Sequence, residues 1–125
     1  MIIGIGTDII GLERIGKLLE GARGEAFLRR VLTEKEQAYF VQKRFSRARS
    51  VEFVAGRWAA KEAVAKALGC GIGAELGFCD IEVLPDERGR PACTVARPIA
   101  EGLVVHVSIS HADGWASAFA VAERL

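Results

Sequence analysis

Cysteine is scarce in this sequence, and its few occurrences follow no pattern that binds metal or forms disulfides. The chain has three cysteines, Cys70, Cys79 and Cys93, and none of them belongs to a CxxC motif. An odd number without that spacing argues against a disulfide framework and against a structural zinc site. We therefore expect three reduced thiols, which are typical of cytoplasmic proteins.

Long apolar segments and a strong net charge are also missing. No run approaches the roughly 18–20 apolar residues that span a bilayer. The sequence begins MIIGIGTD, without the basic region of a signal peptide. The formal net charge is only +1, so charge gives no argument for a nucleic-acid or membrane partner. We expect a cytoplasmic protein that binds neither.

The start of the chain also lacks a complete dinucleotide-binding motif. The segment GIGTD has no third glycine, and no regular alternation of strands and helices follows it. One segment does carry an excess of one charge, because residues 14–49 contain ten Lys and Arg residues against four Glu residues. This segment would suit an acidic partner or a phosphorylated ligand, although a solvated helix face gives the same pattern.

The composition and the first half of the chain predict an α+β fold in a single domain over residues 1–125. Hydrophobic residues make up 50% of the chain and charged residues 26%, as in ordinary globular proteins. A β-branched run predicts a buried strand at 2–10, and helical spacing predicts a helix at 12–20 that ends near Gly21. Thr33 and Glu36 form a capping-box pattern, which predicts a helix through about Val41.

The second half contains a long helix followed by two predicted hairpins. Ser50 is the expected N-cap of the long helix, and Gly69 is its expected stop. Residues 78–96 alternate on both sides of the turn PDERGRP, which predicts a first hairpin. Residues 104–111 and 115–122 predict a second hairpin, because Asp113-Gly114 is a tight-turn sequence.

The long helix carries charges that its many small residues do not explain. A helical wheel places Glu62 and Lys66 at the rim of a sector of small residues, namely Ala55, Gly56, Ala59, Ala60, Ala63 and Ala67. Glu62 and Lys66 have i,i+4 spacing, so a surface ion pair explains them as well as a functional site does. Asp8 favours the functional interpretation, because an unpaired carboxylate in an apolar strand is costly.

A metal site follows if the first strand packs against this small-residue sector. Asp8 and Glu62 would then meet, and a divalent cation would relieve the repulsion between their carboxylates. Two protein ligands completed by water and a ligand phosphate are typical of Mg²⁺, and Lys66 would be a phosphate partner one turn away. His111 ends an apolar stripe of the 104–111 strand. It is either a structural histidine or a phosphate donor and proton carrier.

Four segments together resemble a known family. GIGTDII at 4–10, FVAGRWAAKEAVAKALG at 53–69, GRP at 89–91 and VHVSISHADGWASAFAVAE at 105–123 are similar to holo-[acyl-carrier-protein] synthases. These are small, stand-alone 4'-phosphopantetheinyl transferases. The resemblance implies the fold of that family, an antiparallel sheet packed with a long central helix. It also implies a homotrimer with active sites at the subunit interfaces.

The resemblance further implies a reaction and its residues. The enzyme would transfer 4'-phosphopantetheine from coenzyme A to a serine of apo-acyl carrier protein, releasing adenosine 3',5'-bisphosphate, in fatty acid biosynthesis. Mg²⁺, with Mn²⁺ as an alternative, would be held by Asp8 and Glu62, and Lys66 would contact the pyrophosphate as the third catalytic residue. Either Glu62 or a metal-bound water would accept the proton of the serine.

The remaining implied residues bind the two substrates. Coenzyme A would contact Lys66 together with a set of basic, glycine, proline and strand-end residues: Arg49, Arg57, Gly89, Arg90, Pro91, Ser110 and His111. The acidic acyl carrier protein would dock on basic residues of the first half of the chain: Arg14, Arg23 and Arg29.

Two other interpretations are consistent with parts of the sequence. A hot-dog-type acyl-CoA thioesterase also wraps a sheet around a long helix, but it would use its acid for water attack and would not require Mg²⁺. A non-catalytic coenzyme A-binding module would have Glu62 and Lys66 only as an ion pair. Neither interpretation explains why Asp8, Glu62 and Lys66 occur together with the strand SISH at 108–111.

Overall fold

The computed structural model describes all of residues 1–125, which form five strands, four α-helices and two 3-10 turns. In chain order the main elements are β1 (Ile2–Gly11), α1 (Leu12–Glu20), α2 (Gly24–Val31), α3 (Glu34–Lys43), α4 (Arg47–Ala67), β2 (Ile81–Pro85), β3 (Pro91–Val95), β4 (Leu103–Ala112) and β5 (Trp115–Arg124). The 3-10 turns are Phe78–Asp80 and Pro98–Ala100. The fold is α+β, as the sequence predicts. None of the helices combines the length and the apolar character needed to cross a membrane.

One antiparallel sheet in the order β1-β5-β4-β3-β2 wraps around α4. Strands β1 and β2 therefore form its two edges. Asp113 and Gly114 join β4 to β5 with φ angles of +52° and +80°, as the predicted tight turn requires. The 78–96 hairpin is confirmed as β2 and β3.

Strand β1 lies directly on the backbone of α4, because its glycines have no side chains to hold it away. A Cβ atom at Gly4 would lie 1.9 Å from the carbonyl oxygen of Ala67, and one at Gly6 would lie 2.0 Å from that of Ala63. Real Cβ atoms do not approach oxygen this closely, so only glycine fits at either position. The predicted packing of the first strand against the small-residue sector is therefore confirmed.

The core surrounds α4 and contains many alanines. One cluster of 21 buried residues joins the small face of α4 to four alanines that β5 directs inward, Ala116, Ala118, Ala120 and Ala122. Small side chains on both surfaces allow the helix and the sheet to pack closely, which fixes the position of α4 relative to β1.

The structure corrects four expectations. The N-cap of α4 is Ser46 rather than Ser50, and its side chain accepts a hydrogen bond from the Arg49 amide. The helix therefore starts one turn earlier than predicted. Helix α2 has no counterpart in the sequence prediction. Residues 78–80 form a 3-10 turn instead of the start of a strand. Finally, β1 is not a buried strand, because Ile5 and Ile9 are 60% and 63% exposed.

Candidate active site

Asp8, Glu62 and Lys66 come together where β1 crosses the last turns of α4. Asp8 pairs with Ala118 of β5 and shares the inner side of β1 with Gly6, so it faces the helix. The Lys66 ammonium donates to the Thr7 carbonyl oxygen at 2.9 Å and to Asp8 Oδ1 at 3.2 Å. Lys66 therefore pairs with Asp8, and not with Glu62 as a simple surface ion pair on α4 would require.

Asp8 and Glu62 are two acidic groups at the contact between β1 and α4. Partial burial raises the pKa of the Glu62 carboxyl, and the nearby Asp8 charge raises it further, while Lys66 and Arg14 act in the opposite direction. Asp8 itself is mostly buried, with 16% of its side chain exposed. The two carboxylates therefore lie on the two sides of the β1–α4 contact, where the charge of one disfavours the charge of the other.

The donor set of this place fits a hard divalent cation. Both side chains offer only carboxylate oxygens, which are the ligands that Mg²⁺ prefers, and a cation between them would relieve their repulsion. No group of three or more His, Cys, Asp or Glu residues in the chain forms a complete side-chain cage. A metal held by Asp8 and Glu62 therefore needs oxygens from a ligand or from water.

Asp8 and Glu62 line a cavity of about 770 Å³, which we call the carboxylate cavity. Arg14, Trp58 and Trp115 are among its other walls. The Arg14 guanidinium lies 5.8 Å from the centre of the Trp58 ring. Arg14 is the one basic side chain of the lining, against the acidic side chains Asp8, Glu13, Glu62 and Asp113, so an anionic ligand would need a cation beside the carboxylates. An apolar part of a ligand would meet the two indole rings.

Four of the predicted coenzyme-binding residues line a second site. Arg49, Arg57, Gly89 and His111 lie around a depression of about 260 Å³ that also contains Tyr39, Phe45 and Phe53, and we call it the arginine depression. Gly89 adopts a φ of +82° in the β2–β3 turn, a conformation that favours glycine. Two guanidinium groups over aromatic rings form a site suited to a phosphate.

Arg57 is held rigidly in this depression. Its Nε donates to the Val83 carbonyl oxygen at 3.1 Å, and its guanidinium carbon lies 4.2 Å from the centre of the Phe53 ring. Burial lowers the pKa of the Arg57 guanidinium, and attraction by Glu36 acts against this decrease. Its two terminal nitrogens have no hydrogen-bond partner within the chain, so they are free to bind a ligand.

His111 and Ser110 lie on opposite faces of the sheet. His111 points towards α4, where its Nε2 is 2.9 Å from the Glu52 carbonyl oxygen. A Cβ atom at Gly56 would lie 3.1 Å from that nitrogen, so Gly56 allows the histidine to approach the helix. Ser110 instead lies with Lys66 in a shallow cavity of about 450 Å³ on the other face. The expected wall of both residues does not form within one chain.

Other predicted residues lie around these sites. Arg90 is exposed in the β2–β3 turn and pairs with Asp86 at 3.2 Å, and Pro91 begins β3 beside it. Of the three predicted docking residues, Arg14 alone reaches the carboxylate cavity. Arg23 is exposed immediately before α2, and Arg29 is exposed on α2 and is 3.9 Å from Glu25.

The two sites lie far apart along α4. Arg57 and Lys66 are nine residues apart, which corresponds to about 13.5 Å along the helix axis at about 1.5 Å per residue. Nine residues at about 100° each also place the two side chains on opposite sides of the helix. The Lys66 site and the arginine depression of one chain therefore face away from each other.

Sequence reasoning missed two features of this region. Lys61 is fully buried and pairs with a fully buried Glu36 at 2.5 Å. Trp58 stacks on Phe27 and contacts Phe78, which makes it a rigid wall of the carboxylate cavity. The capping-box pattern at Glu36 suggested only a helix start, and nothing local in the sequence shows that its partner is 25 residues away.

The chain is similar to known proteins over nearly its whole length. Residues 4–120 match the family model of the 4'-phosphopantetheinyl transferase superfamily. A holo-[acyl-carrier-protein] synthase of Geobacillus kaustophilus is 52% identical over 125 residues, which cover all of this chain and 92% of that protein.

Two solved structures of similar proteins contain coenzyme A or part of it. The holo-(acyl-carrier-protein) synthase of Bacillus anthracis, in complex with CoA (3',5'-ADP), is 46% identical with a TM-score of 0.86, covering 100% of this chain and 99% of that chain. The synthase of Helicobacter pylori in complex with coenzyme A is 33% identical with a TM-score of 0.82, covering 95% and 99%.

Proposed function

The chain belongs to the 4'-phosphopantetheinyl transferase superfamily, and we propose that it transfers 4'-phosphopantetheine from coenzyme A to a serine of apo-acyl carrier protein. The other product is adenosine 3',5'-bisphosphate. The observation that carries this proposal is the meeting of Asp8, Glu62 and Lys66 in a chain whose relatives are holo-[acyl-carrier-protein] synthases. Family membership favours this reaction over a thioesterase or a non-catalytic binding module.

The reaction is metal-dependent in this proposal, with Mg²⁺, or alternatively Mn²⁺, held by Asp8 and Glu62. When bound, the cation would neutralise charge on the pyrophosphate of coenzyme A. Asp8 and Glu62 suit such a cation because both offer only carboxylate oxygens and because the cation would relieve the repulsion between their charges.

The side chains of this site position and neutralise the reacting groups. Lys66 has 52% of its side chain exposed, so it can turn from Asp8 towards a pyrophosphate oxygen and stabilise the charge that develops there. The carboxylate cavity leaves room for the serine of the carrier protein beside Glu62. Phosphoryl transfer of this kind requires alignment and charge stabilisation rather than a nucleophile from the enzyme.

The arginine depression is the proposed site of the 3'-phosphate of coenzyme A. The pyrophosphate occupies the Lys66 site, so the second phosphate of the molecule is left for Arg49, Arg57 and His111. Arg57 and Lys66 of one chain lie on opposite sides of α4, which supports binding of the two phosphates by different chains. We therefore infer that one active site combines the carboxylates of one subunit with the arginine depression of its neighbour.

The outer face of the sheet, which is the side away from α4, supports the proposal of a homotrimer with active sites at its interfaces. The apolar side chains Ile5, Ile9, Val104 and Phe119 are 38% to 63% exposed there. Several large exposed apolar side chains on one face of a sheet are typical of surfaces buried in an assembly. Packing of these faces also brings Ser110 towards a neighbouring subunit, where it can join the coenzyme site.

The carrier protein is proposed to dock beside the carboxylate cavity. Arg14 lies at its wall, and Arg23 and Arg29 are exposed nearby in the sequence, so all three can meet an acidic carrier. Arg90 and Pro91 complete the coenzyme contacts around Gly89. We propose a single domain over residues 1–125 that works in the cytoplasm in fatty acid biosynthesis.

The proposal is tested by following product release from coenzyme A. The protein is incubated with coenzyme A and apo-acyl carrier protein in the presence of Mg²⁺, and the nucleotide products are separated by chromatography. We expect adenosine 3',5'-bisphosphate to appear only when the apo-carrier is present. Thioester cleavage of acyl-CoA without Mg²⁺ would favour the thioesterase, and coenzyme A binding without any product would favour a binding module.

The shared active site is tested by mixing an inactive variant with a weakened one, at a coenzyme A concentration well below KM. Asp8→Ala removes a carboxylate, and Arg57→Ala removes a phosphate contact from the other site. If each active site uses two subunits, co-refolded mixtures regain activity, because some interfaces combine one intact half from each variant. A mixture no more active than the average of its two components would contradict the interface arrangement.

A further inference from the structure

The proposed reaction does not use the most completely buried charged pair of the molecule. Lys61 of α4 and Glu36 of α3 are both fully inaccessible to solvent. The Lys61 ammonium donates to Glu36 Oε1 at 2.5 Å and to the Val31 carbonyl oxygen at 2.6 Å. The Thr33 amide donates to Glu36 Oε1 at 2.8 Å, and the Val83 amide donates to Glu36 Oε2 at 2.7 Å.

Stability alone does not explain this pair. Removing two charges from water costs several kcal/mol per ion, and apolar residues of similar volume often replace a buried pair without loss of stability. No buried side-chain nitrogen or oxygen of the chain lacks a partner, so the pair is fully satisfied and its geometry is fixed.

Val83 connects the pair to the arginine depression. Val83 lies in β2, one of the two edge strands of the sheet. No further strand is present there to bind the main-chain N–H and C=O groups that point outward. Side chains bind them instead: Glu36 accepts from the Val83 amide, and Arg57 donates to the Val83 carbonyl oxygen. Glu36 and Arg57 therefore bind the two main-chain polar groups of one residue, Val83.

The position of Arg57 depends on this arrangement. Only its Nε is bound within the chain, so the Val83 carbonyl oxygen sets the direction of the guanidinium. Glu36 also attracts Arg57 electrostatically. If Glu36 and Lys61 were lost, the edge strand would be free to shift, and the terminal nitrogens of Arg57 would lose their fixed direction into the depression.

We propose that Glu36 and Lys61 are positioning residues that hold β2 and Arg57 in place to bind the 3'-phosphate of coenzyme A. The pair would thereby set the preference of the enzyme for coenzyme A over dephospho-coenzyme A, which lacks that phosphate. This inference rests on the proposed function, because it takes the arginine depression to be the 3'-phosphate site.

The test compares the two donors in the double variant Glu36→Met/Lys61→Met, which removes both charges with little change in volume. We expect its KM for coenzyme A to rise about tenfold, the equivalent of one lost hydrogen bond to a charged group. The KM for dephospho-coenzyme A and the kcat with either donor should stay within about twofold of wild type, since neither depends on the 3'-phosphate.

Two further variants separate positioning from stability. Arg57→Ala should cause the same loss of preference, and adding it to the double variant should cause no further loss, because both act through one guanidinium. Thr33→Ala removes one half of the capping box and the Thr33–Glu82 hydrogen bond but retains the hydrogen bonds of Glu36 and Arg57 to Val83. It should lower the melting temperature and leave the donor preference unchanged.

The outcomes distinguish this inference from the proposed function. An equal rise in KM for both donors, or additive losses in the combined variant, would overturn the positioning role. If the wild type transfers nothing to any carrier, calorimetric binding of the two donors still measures the preference. If the double variant does not fold, Glu36→Gln replaces it. Glu36→Gln should reduce the preference for coenzyme A over dephospho-coenzyme A by less than tenfold. An unchanged preference in Glu36→Gln would overturn the inference.

Discussion

Replacing Gly6 with alanine should separate β1 from α4 and disable the active site. The added Cβ would lie 2.0 Å from the Ala63 carbonyl oxygen and 2.8 Å from the Ala67 amide nitrogen. Both are backbone atoms of a buried helix, so neither can move aside as a flexible side chain would. An ordinary contact needs 3.4 Å or more, so the strand must retreat by more than an ångström.

Two effects of different size follow from this displacement. Overpacking of a filled core costs about 1–3 kcal/mol and occasionally more, so Gly6→Ala should lie at or above the upper end of that range. Asp8 is two residues further along the same strand and would move with it, away from Glu62 and Lys66. A displacement of about 1 Å at a catalytic group can cost on the order of 100-fold in rate, so activity should fall more than stability.

Urea denaturation gives the loss of stability, and transfer to apo-acyl carrier protein under conditions where the variant is folded gives the loss of rate. Gly16→Ala is the matched control, because its Cβ would meet only a Val51 methyl at 3.8 Å. That change lies within α1 and should be neutral or slightly stabilising. Wild-type stability and activity in Gly6→Ala would refute the close packing of β1 on α4.

Three further predictions concern the metal, the assembly and a half-buried thiol. Asp8→Ala and Glu62→Ala should stay folded by circular dichroism yet lose transfer at every Mg²⁺ concentration, and wild-type turnover at limiting Mg²⁺ would refute the metal assignment. Phe119→Asp places a charge on the outer face of the sheet and should convert trimers to monomers in light scattering, whereas an unchanged mass would argue against that interface. Burial raises the pKa of the Cys93 thiol to about 12, and the Glu36 charge adds to the increase. A cysteine in an unfolded chain has a pKa of about 8.5, so the native state should lose stability as the pH rises from that value towards about 12. The Cys93 thiol should resist alkylation by iodoacetamide at pH 8, and rapid alkylation of the native protein would contradict this prediction.

Local sequence patterns predicted most of the fold because local chemistry decides it. The Asp113-Gly114 turn and the alternation around it fix the register of β4 and β5. The small residues of α4 and the glycines of β1 each indicated close packing, and together they bring Asp8 to Glu62. The extent of β1 burial was predicted wrongly, because an apolar strand on an outer face has the same sequence pattern as a buried one.

Long-range contacts explain what the sequence could not supply. The pairing of Lys61 with Glu36 depends on how α3 folds back onto α4, and no pattern near either residue encodes it. Likewise, alternation along β4 shows that Ser110 and His111 point to opposite faces, but it does not show which ligand site each face meets. The structure assigns His111 to the arginine depression and Ser110 to the side of Lys66.

Intact-mass spectrometry of the carrier protein tests the central claim most directly. Apo-acyl carrier protein is incubated with coenzyme A and Mg²⁺ and one of three additions: the wild-type protein, Asp8→Ala, or the wild-type protein with excess EDTA. We predict that the carrier gains the mass of one phosphopantetheinyl group in the first reaction only. No gain with the wild-type protein for any of several carriers, or an equal gain in all three reactions, would contradict the account.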